Sequence, residues 1–181
     1  MKKKKGPWIV TDTTVVYKNP WIQVIEDKVV QPDKKEGIFG VVHMKSGVSV
    51  LALDENGYVY LTKQYQYALE KKSLEAINGG IDKDETKLDA AKRELQEEAG
   101  ITAKEWIDFG FIDPFTSVVS SVNYMFLARN LQFVANNPEG TEQIEIIKVP
   151  LEEAIQMVMD NTITHGATTT LLLKVKKHLG I

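Results

Sequence analysis

From Thr86 to Gly100 the chain spells one helix with both ends marked, and any fold it adopts must set that helix among strands. Leu88, Ala91, Leu95 and Ala99 recur at three- and four-residue spacing, the apolar face of a 3.6-residue helix. Thr86-x-x-Asp89 has the form of a capping box, and Gly100 stands where a left-handed residue ends a helix. Ahead of it, residues 13–17, 21–30 and 37–44 are rich in Val, Ile, Thr and aromatics. Asn19-Pro20 and residues 32–37 separate them as turn signals, which predicts an antiparallel meander. Residues 48–53 and 58–62 flank Asn56-Gly57, a pair suited to the positive φ values of a hairpin turn. Behind the helix, residues 106–112, 123–128 and 144–149 read as strands. Pro150 opens a helix to about Asp160, and a last helix covers residues 168–179. The order strands, helix, strands, helices predicts an α+β fold; a doubly wound parallel sheet would need regular alternation.

Length and composition close off other classes. The 181 residues suit one domain plus an appendage, and 43% hydrophobic with 26% charged residues is ordinary globular usage. A net charge of −3 supplies no basic field for phosphate backbones, so no nucleic-acid partner is expected. With no cysteine there is no disulfide framework and no thiolate site. The apolar runs are only a few residues long, so no membrane partner is expected either. The lysines of residues 2–5 lead to Trp8-Ile9-Val10 and then at once to polar residues, which is not a secretory signal. They read as a solvated tail without function, and the cytoplasm is the expected location.

The chemistry is concentrated in residues 79–101. On the helix, Glu94 lies one turn before Glu97 and Glu98, so three carboxylates share one side. They repel unless a cation or base offsets them, and hard oxygen donors favour Mg²⁺, Ca²⁺ or Mn²⁺. Arg93 reaches Glu97 at i,i+4 and can hold one carboxylate in orientation, a supporting role. An isolated Glu-x-x-Glu-Glu reads more simply as a solvated acidic face, but here Gly79, Glu85, Arg93, Glu94, Leu95, Glu97, Glu98, Gly100 and Ile101 stand together. This spacing resembles the signature of the Nudix hydrolases, Gly-x5-Glu-x7-Arg-Glu-apolar-x-Glu-Glu-x-Gly-apolar, at every specified position.

That resemblance implies a Nudix-type α/β/α sandwich with a mixed sheet, a loop-helix-loop catalytic motif and an N-terminal antiparallel meander. It implies residues 1–44 as a strand extension and 45–181 as the hydrolase domain. It further implies a Mg²⁺-dependent attack of water on a nucleoside diphosphate linked to another group, with Mn²⁺ as a substitute. Glu94 and Glu98 would be the main metal ligands, Glu97 a further ligand or orienting carboxylate, the Asn78 carbonyl an additional ligand, and Glu85 a structural or outer partner. A glutamate outside the motif would serve as base: Glu142, with Glu139 or Glu145 as alternatives.

Residues 50–57, Gln64, Gln66 and Glu75, four residues before Gly79, look like the ADP-ribose and nucleotide-sugar pyrophosphatase branch, in which this segment helps bind substrate. Three departures bear on the substrate: Gln66 stands where the branch often has arginine, Ala76-Ile77-Asn78-Gly79 replaces Leu-Pro-Ala-Gly, and residues 113–117 lack a second proline. His43, His165 and His178 show no mutual metal spacing and are placed outside the site. Tyr65 and Tyr67 border an adenine pocket or pack on the sheet. Trp8, Trp21 and the first strands suggest a homodimer interface. The expected reaction is cleavage of ADP-ribose to AMP and ribose 5-phosphate, or of a related nucleoside diphosphate sugar. The alternatives are a non-catalytic nucleotide-sugar sensor and a hydrolase for another nucleoside diphosphate derivative.

Overall fold

The computed structural model describes residues 3–134 and 143–181. Its elements run β1 (Lys3–Lys5), β2 (Trp8–Lys18), β3 (Ile22–Val30), β4 (Glu36–Met44), β5 (Gly47–Leu53), β6 (Tyr58–Gln66), β7 (Lys71–Gly80), α1 (Lys87–Ala99), β8 (Ile101–Ile112), β9 (Val119–Ser120), β10 (Asn123–Phe133), β11 (Glu145–Pro150), α2 (Leu151–Met159) and α3 (Gly166–Leu179). They fall into two compact units, one of the N-terminal strands through Lys45 with Asp113–Val122, the other of Ser46–Ile112 and Asn123–Ile181. No helix among the described residues is long and apolar enough to cross a membrane.

The first unit is a five-stranded sheet in the order β1-β2-β3-β4-β9, antiparallel except for the β4–β9 pair. The meander is the one its turn residues predict: the Asn19 side chain accepts the N–H groups of Trp21 and Ile22 and reverses the chain. Of the lysine run expected to be a solvated tail, residues 3–5 are solvent-exposed but form a strand. Residues 3–5 pair with β2, and Lys5 Nζ lies 2.7 Å from Asp27 Oδ2. Asp27 is buried, and an ionised carboxylate there needs a partner. Hydrogen bonds from Lys5 first, then Thr13, hold its carboxyl below the usual carboxylate range. The stabilisation is therefore present above the unfolded pKa of about 3.9 and is lost as pH falls through the lowered folded value. Lys5→Ala is expected to move acid unfolding of this sheet to higher pH, read by circular dichroism between neutral and acidic pH. Of the two tryptophans singled out above, Trp8 packs edge-on to Phe39 at 5.6 Å, whereas Trp21 is 72% exposed.

The second unit is a mixed six-stranded sheet, β11-β6-β7-β5-β10-β8, with helices on both faces. Alternation along β5 divides the core. Val48, Val50 and Ala52 face Ala90, Ala91 and Leu95 of α1, and Leu51 and Leu53 face Ala154, Leu171, Leu172 and Val175 of α2 and α3. A strand covered on both faces carries an unbroken apolar run, and Val48 to Leu53 has only Ser49 as exception. The β5–β6 hairpin turns at Gly57, φ 80°, but its strands pair only at Ala52–Tyr60 and Leu53–Val59 before they part.

β7, which the sequence pattern does not announce as a strand, fills the gap. It pairs with β6 from Lys71 to Ala76 and with β5 from Ile77 to Gly80. β8 begins at Ile101, five residues before the predicted strand, and β10 extends to Phe133, because the two pair along nearly their whole length. α1 has both predicted ends. Thr86 Oγ1 accepts the Asp89 N–H at 3.1 Å and donates to its carboxylate at 2.7 Å, and Gly100 closes the helix at φ 62° with its N–H on Gln96 O.

Candidate active site

The site forms where the end of β7 meets α1. Glu94 lies over Gly79, and a Cβ on Gly79 would overlap the Glu94 carboxylate. Since Gly79 is not among the positive-φ residues, the demand for glycine is one of space. One turn on, Glu98 is 4% exposed and Oε2 accepts the Asn78 N–H at 3.3 Å. This N–H is available because β7 has exchanged β6 for β5 as its partner at that point. In an antiparallel ladder a residue's N–H and C=O serve the same neighbour. The Asn78 carbonyl therefore belongs to the same edge as its N–H, toward the α1 carboxylates.

Arg93 ties the loop to the helix. Nε and Nη2 fork onto the two Glu85 oxygens at 2.9 and 3.0 Å, Nη1 reaches Glu94 at 2.7 Å and Glu97 at 3.0 Å, and Nη2 also donates to the Gly80 carbonyl at 2.9 Å. Glu85 in turn accepts the Asp82 N–H at 3.0 Å. Glu85, ahead of Glu94 and Glu97, pushes the Arg93 pKa up, so the guanidinium is a permanent cation among carboxylates that would otherwise repel. The fork is what lysine cannot reproduce. Arg93→Lys is expected to cost about 1–2 kcal/mol for this partly exposed hub, seen as a lower melting temperature that divalent cation partly restores.

The predicted substrate residues lie on the adjoining strands. Gln64 is on β6 opposite Ser73, and Gln66 closes β6. Glu75, 5% exposed, accepts Gln66 Nε2 at 3.2 Å and Asn78 Nδ2 at 3.1 Å. His165, a histidine expected to be at the surface or hydrogen-bonded rather than a ligand, lies beside Glu75: Nδ1 is 3.5 Å from Glu75 and 2.8 Å from Thr168 Oγ1. Neither His165 nor Thr168 carries a motif; His165 lies 90 positions after Glu75 and Thr168 92 after Ala76, so only folding brings them here. Glu142 and Glu139 lie outside the described residues; Glu145 is exposed at the start of β11, opposite Lys63. The structure thus gathers Glu75, Asn78, Glu85, Arg93, Glu94, Glu97 and Glu98, with Gln66 joined through Glu75.

Among the described residues, no three Asp, Glu or His side chains converge in a geometry ready for a metal ion, and Arg93 engages Glu94 and Glu97 instead. The donor chemistry nevertheless suits a hard divalent cation: three carboxylates and a strand-edge carbonyl, with room at Gly79 for Glu94 to occupy.

A carboxylate helix locked by arginine to a glycine-ended strand, on a mixed sheet between helices, defines a hydrolase of the Nudix class. The chain belongs to that family: residues 43–169 match the NUDIX domain, and residues 8–42 match the nucleoside diphosphate sugar hydrolase N-terminal domain. It is 26% identical over 155 residues to an ADP-ribose pyrophosphatase of Bacillus subtilis (strain 168), covering 84% of each chain. A methanol dehydrogenase activator of Bacillus methanolicus is 24% identical over 160 residues, covering 86% of this chain and 85% of that one. The crystal structure of an ADP compounds hydrolase superposes with a TM-score of 0.85 at 18% identity, over 98% of this chain and 97% of that one, a likeness of fold.

Proposed function

We propose that the protein hydrolyses the diphosphate of ADP-ribose to AMP and ribose 5-phosphate, or that of a closely related nucleoside diphosphate sugar, with Mg²⁺ or Mn²⁺ as cofactor. The observation that carries this reading is the Arg93 hub, which sets Glu94 over Gly79 and leaves Glu98 on Asn78. The pairing of a NUDIX domain with the N-terminal domain of nucleoside diphosphate sugar hydrolases supports the substrate class. So does the relationship to an ADP-ribose pyrophosphatase over most of both chains.

In this reading Glu94, Glu97, Glu98 and the Asn78 carbonyl hold the cation, which when bound neutralises diphosphate oxygens and makes water more acidic. Glu142 takes the proton of the attacking water, with Glu139 and Glu145 as the other candidates. Water adds to phosphorus, one P–O bond of the diphosphate breaks, and the leaving phosphate departs with its electron pair. Arg93 and Glu85 hold the motif loop in place, while Gln64, Gln66 and Glu75 line the way to substrate. Residues 1–44 act as an extension to the hydrolase domain 45–181 and build a homodimer; exposed Val15, Val16, Tyr17, Trp21 and Ile38 supply apolar surface for it. The cytoplasm is the proposed location.

The test is AMP release from ADP-ribose with and without Mg²⁺, beside ADP-glucose, GDP-mannose, NADH and diadenosine polyphosphates. Rapid Mg²⁺-dependent release from ADP-ribose is expected. Folded protein that binds these compounds in calorimetry but cleaves none would instead be a sensor.

A further inference from the structure

Ala76 is the last residue of β7 paired with β6, and Ile77 the first paired with β5. A strand that changes neighbours leaves backbone groups without a ladder partner, and buried ones must find another. The Ala76 N–H goes to Thr168 Oγ1 at 2.8 Å, a hydroxyl fully buried in the first turn of α3. That hydroxyl is also 2.8 Å from Nδ1 of His165, the residue just before the helix.

The same imidazole nitrogen faces Glu75 Oε2 at 3.5 Å. Glu75 is nearly buried, and its hydrogen-bond donors, Gln66 and Asn78, are neutral amides. Among the described residues, His165 is the imidazole that faces this carboxylate. Asn78 closes the circuit: Nδ2 donates to Glu75 and to the Ala76 carbonyl at 3.0 Å, and its N–H meets Glu98.

We infer that His165 is a positioning residue: bridging Thr168 and Glu75, it holds the β7 crossover so that Asn78 presents its backbone to the α1 carboxylates and to a divalent cation held there. The inference rests on the metal reading of the proposed function. His165 touches neither the cation nor the reacting atoms. It acts through Glu75 and Ala76, so its loss should be felt first in cation affinity.

The test uses the full chain, with Mn²⁺ binding measured by calorimetry without substrate and Mg²⁺ dependence of ADP-ribose hydrolysis measured alongside. His165→Ala is expected to weaken Mn²⁺ binding about tenfold, the lower end of what loss of an outer partner costs a metal site. The Mg²⁺ needed for half-maximal rate should rise in parallel, while kcat at saturating Mg²⁺ and the melting temperature stay near those of the parent. His165→Asn, whose amide can place a polar atom near the Nδ1 position, should restore binding. Equal Mn²⁺ affinity in parent and His165→Ala would overturn the inference. So would loss of affinity and melting temperature together in both variants, which would mean a packing role. A parent that binds no Mn²⁺ removes the metal reading itself, and that result is seen before any variant is made.

Discussion

Glu98→Gln is expected to lower ADP-ribose turnover about 10²–10³-fold, the scale on which loss of one preorganised electrostatic contact is felt, with the fold intact. Glu98 is 4% exposed, and one of its oxygens accepts the Asn78 N–H. A glutamine side-chain oxygen can accept the same hydrogen bond in nearly the same volume, so the change removes the charge and keeps this contact. Taking one negative charge from a face that also carries Glu94 and Glu97 relieves repulsion, and the melting temperature should hold or rise. AMP release at saturating Mg²⁺ beside a thermal melt separates the two effects. An unchanged rate would count against Glu98 as a metal ligand.

Gly79→Ala should be comparably severe for activity and mild for stability, for a different reason. The backbone at Gly79 accepts alanine, but the new methyl would occupy the space of the Glu94 carboxylate. A carboxylate is the mobile end of a flexible side chain and can move aside, so the fold should lose under about 1 kcal/mol. Glu94 would then no longer stand over the end of β7, and turnover should fall about 10²-fold or more. The check is a steady-state assay with a melt on the same preparation. A variant that loses stability as steeply as activity would show that Gly79 serves packing rather than the placement of Glu94.

The local elements were legible because their signals are local. Thr86, Asp89 and Gly100 mark α1 through contacts within one or two turns, and Asn19 makes its turn with its own near neighbours. β7 was not legible as a strand, since Lys71-Lys72-Ser73-Leu74-Glu75 lacks alternation and Gly79-Gly80 reads as a break. Its pairing comes from β5 and β6 parting beyond Ala52 and Tyr60, which no residue in β7 announces. The strand at Lys3–Lys5 is not legible either, because its partner in β3 is distant in sequence, Asp27 lying 22 residues from Lys5.

The motif from Gly79 to Ile101 by itself determined the family, the helix and the shared face of Glu94, Glu97 and Glu98, because helical periodicity turns spacing into direction. Tertiary structure alone decided what those carboxylates meet: Glu94 over Gly79, Glu98 on the Asn78 N–H, and His165 with Thr168 against Glu75 and Ala76. The reason is physical. A strand that changes partners leaves backbone groups to be satisfied from outside its own ladder, and helices distant in sequence supply the side chains that satisfy them.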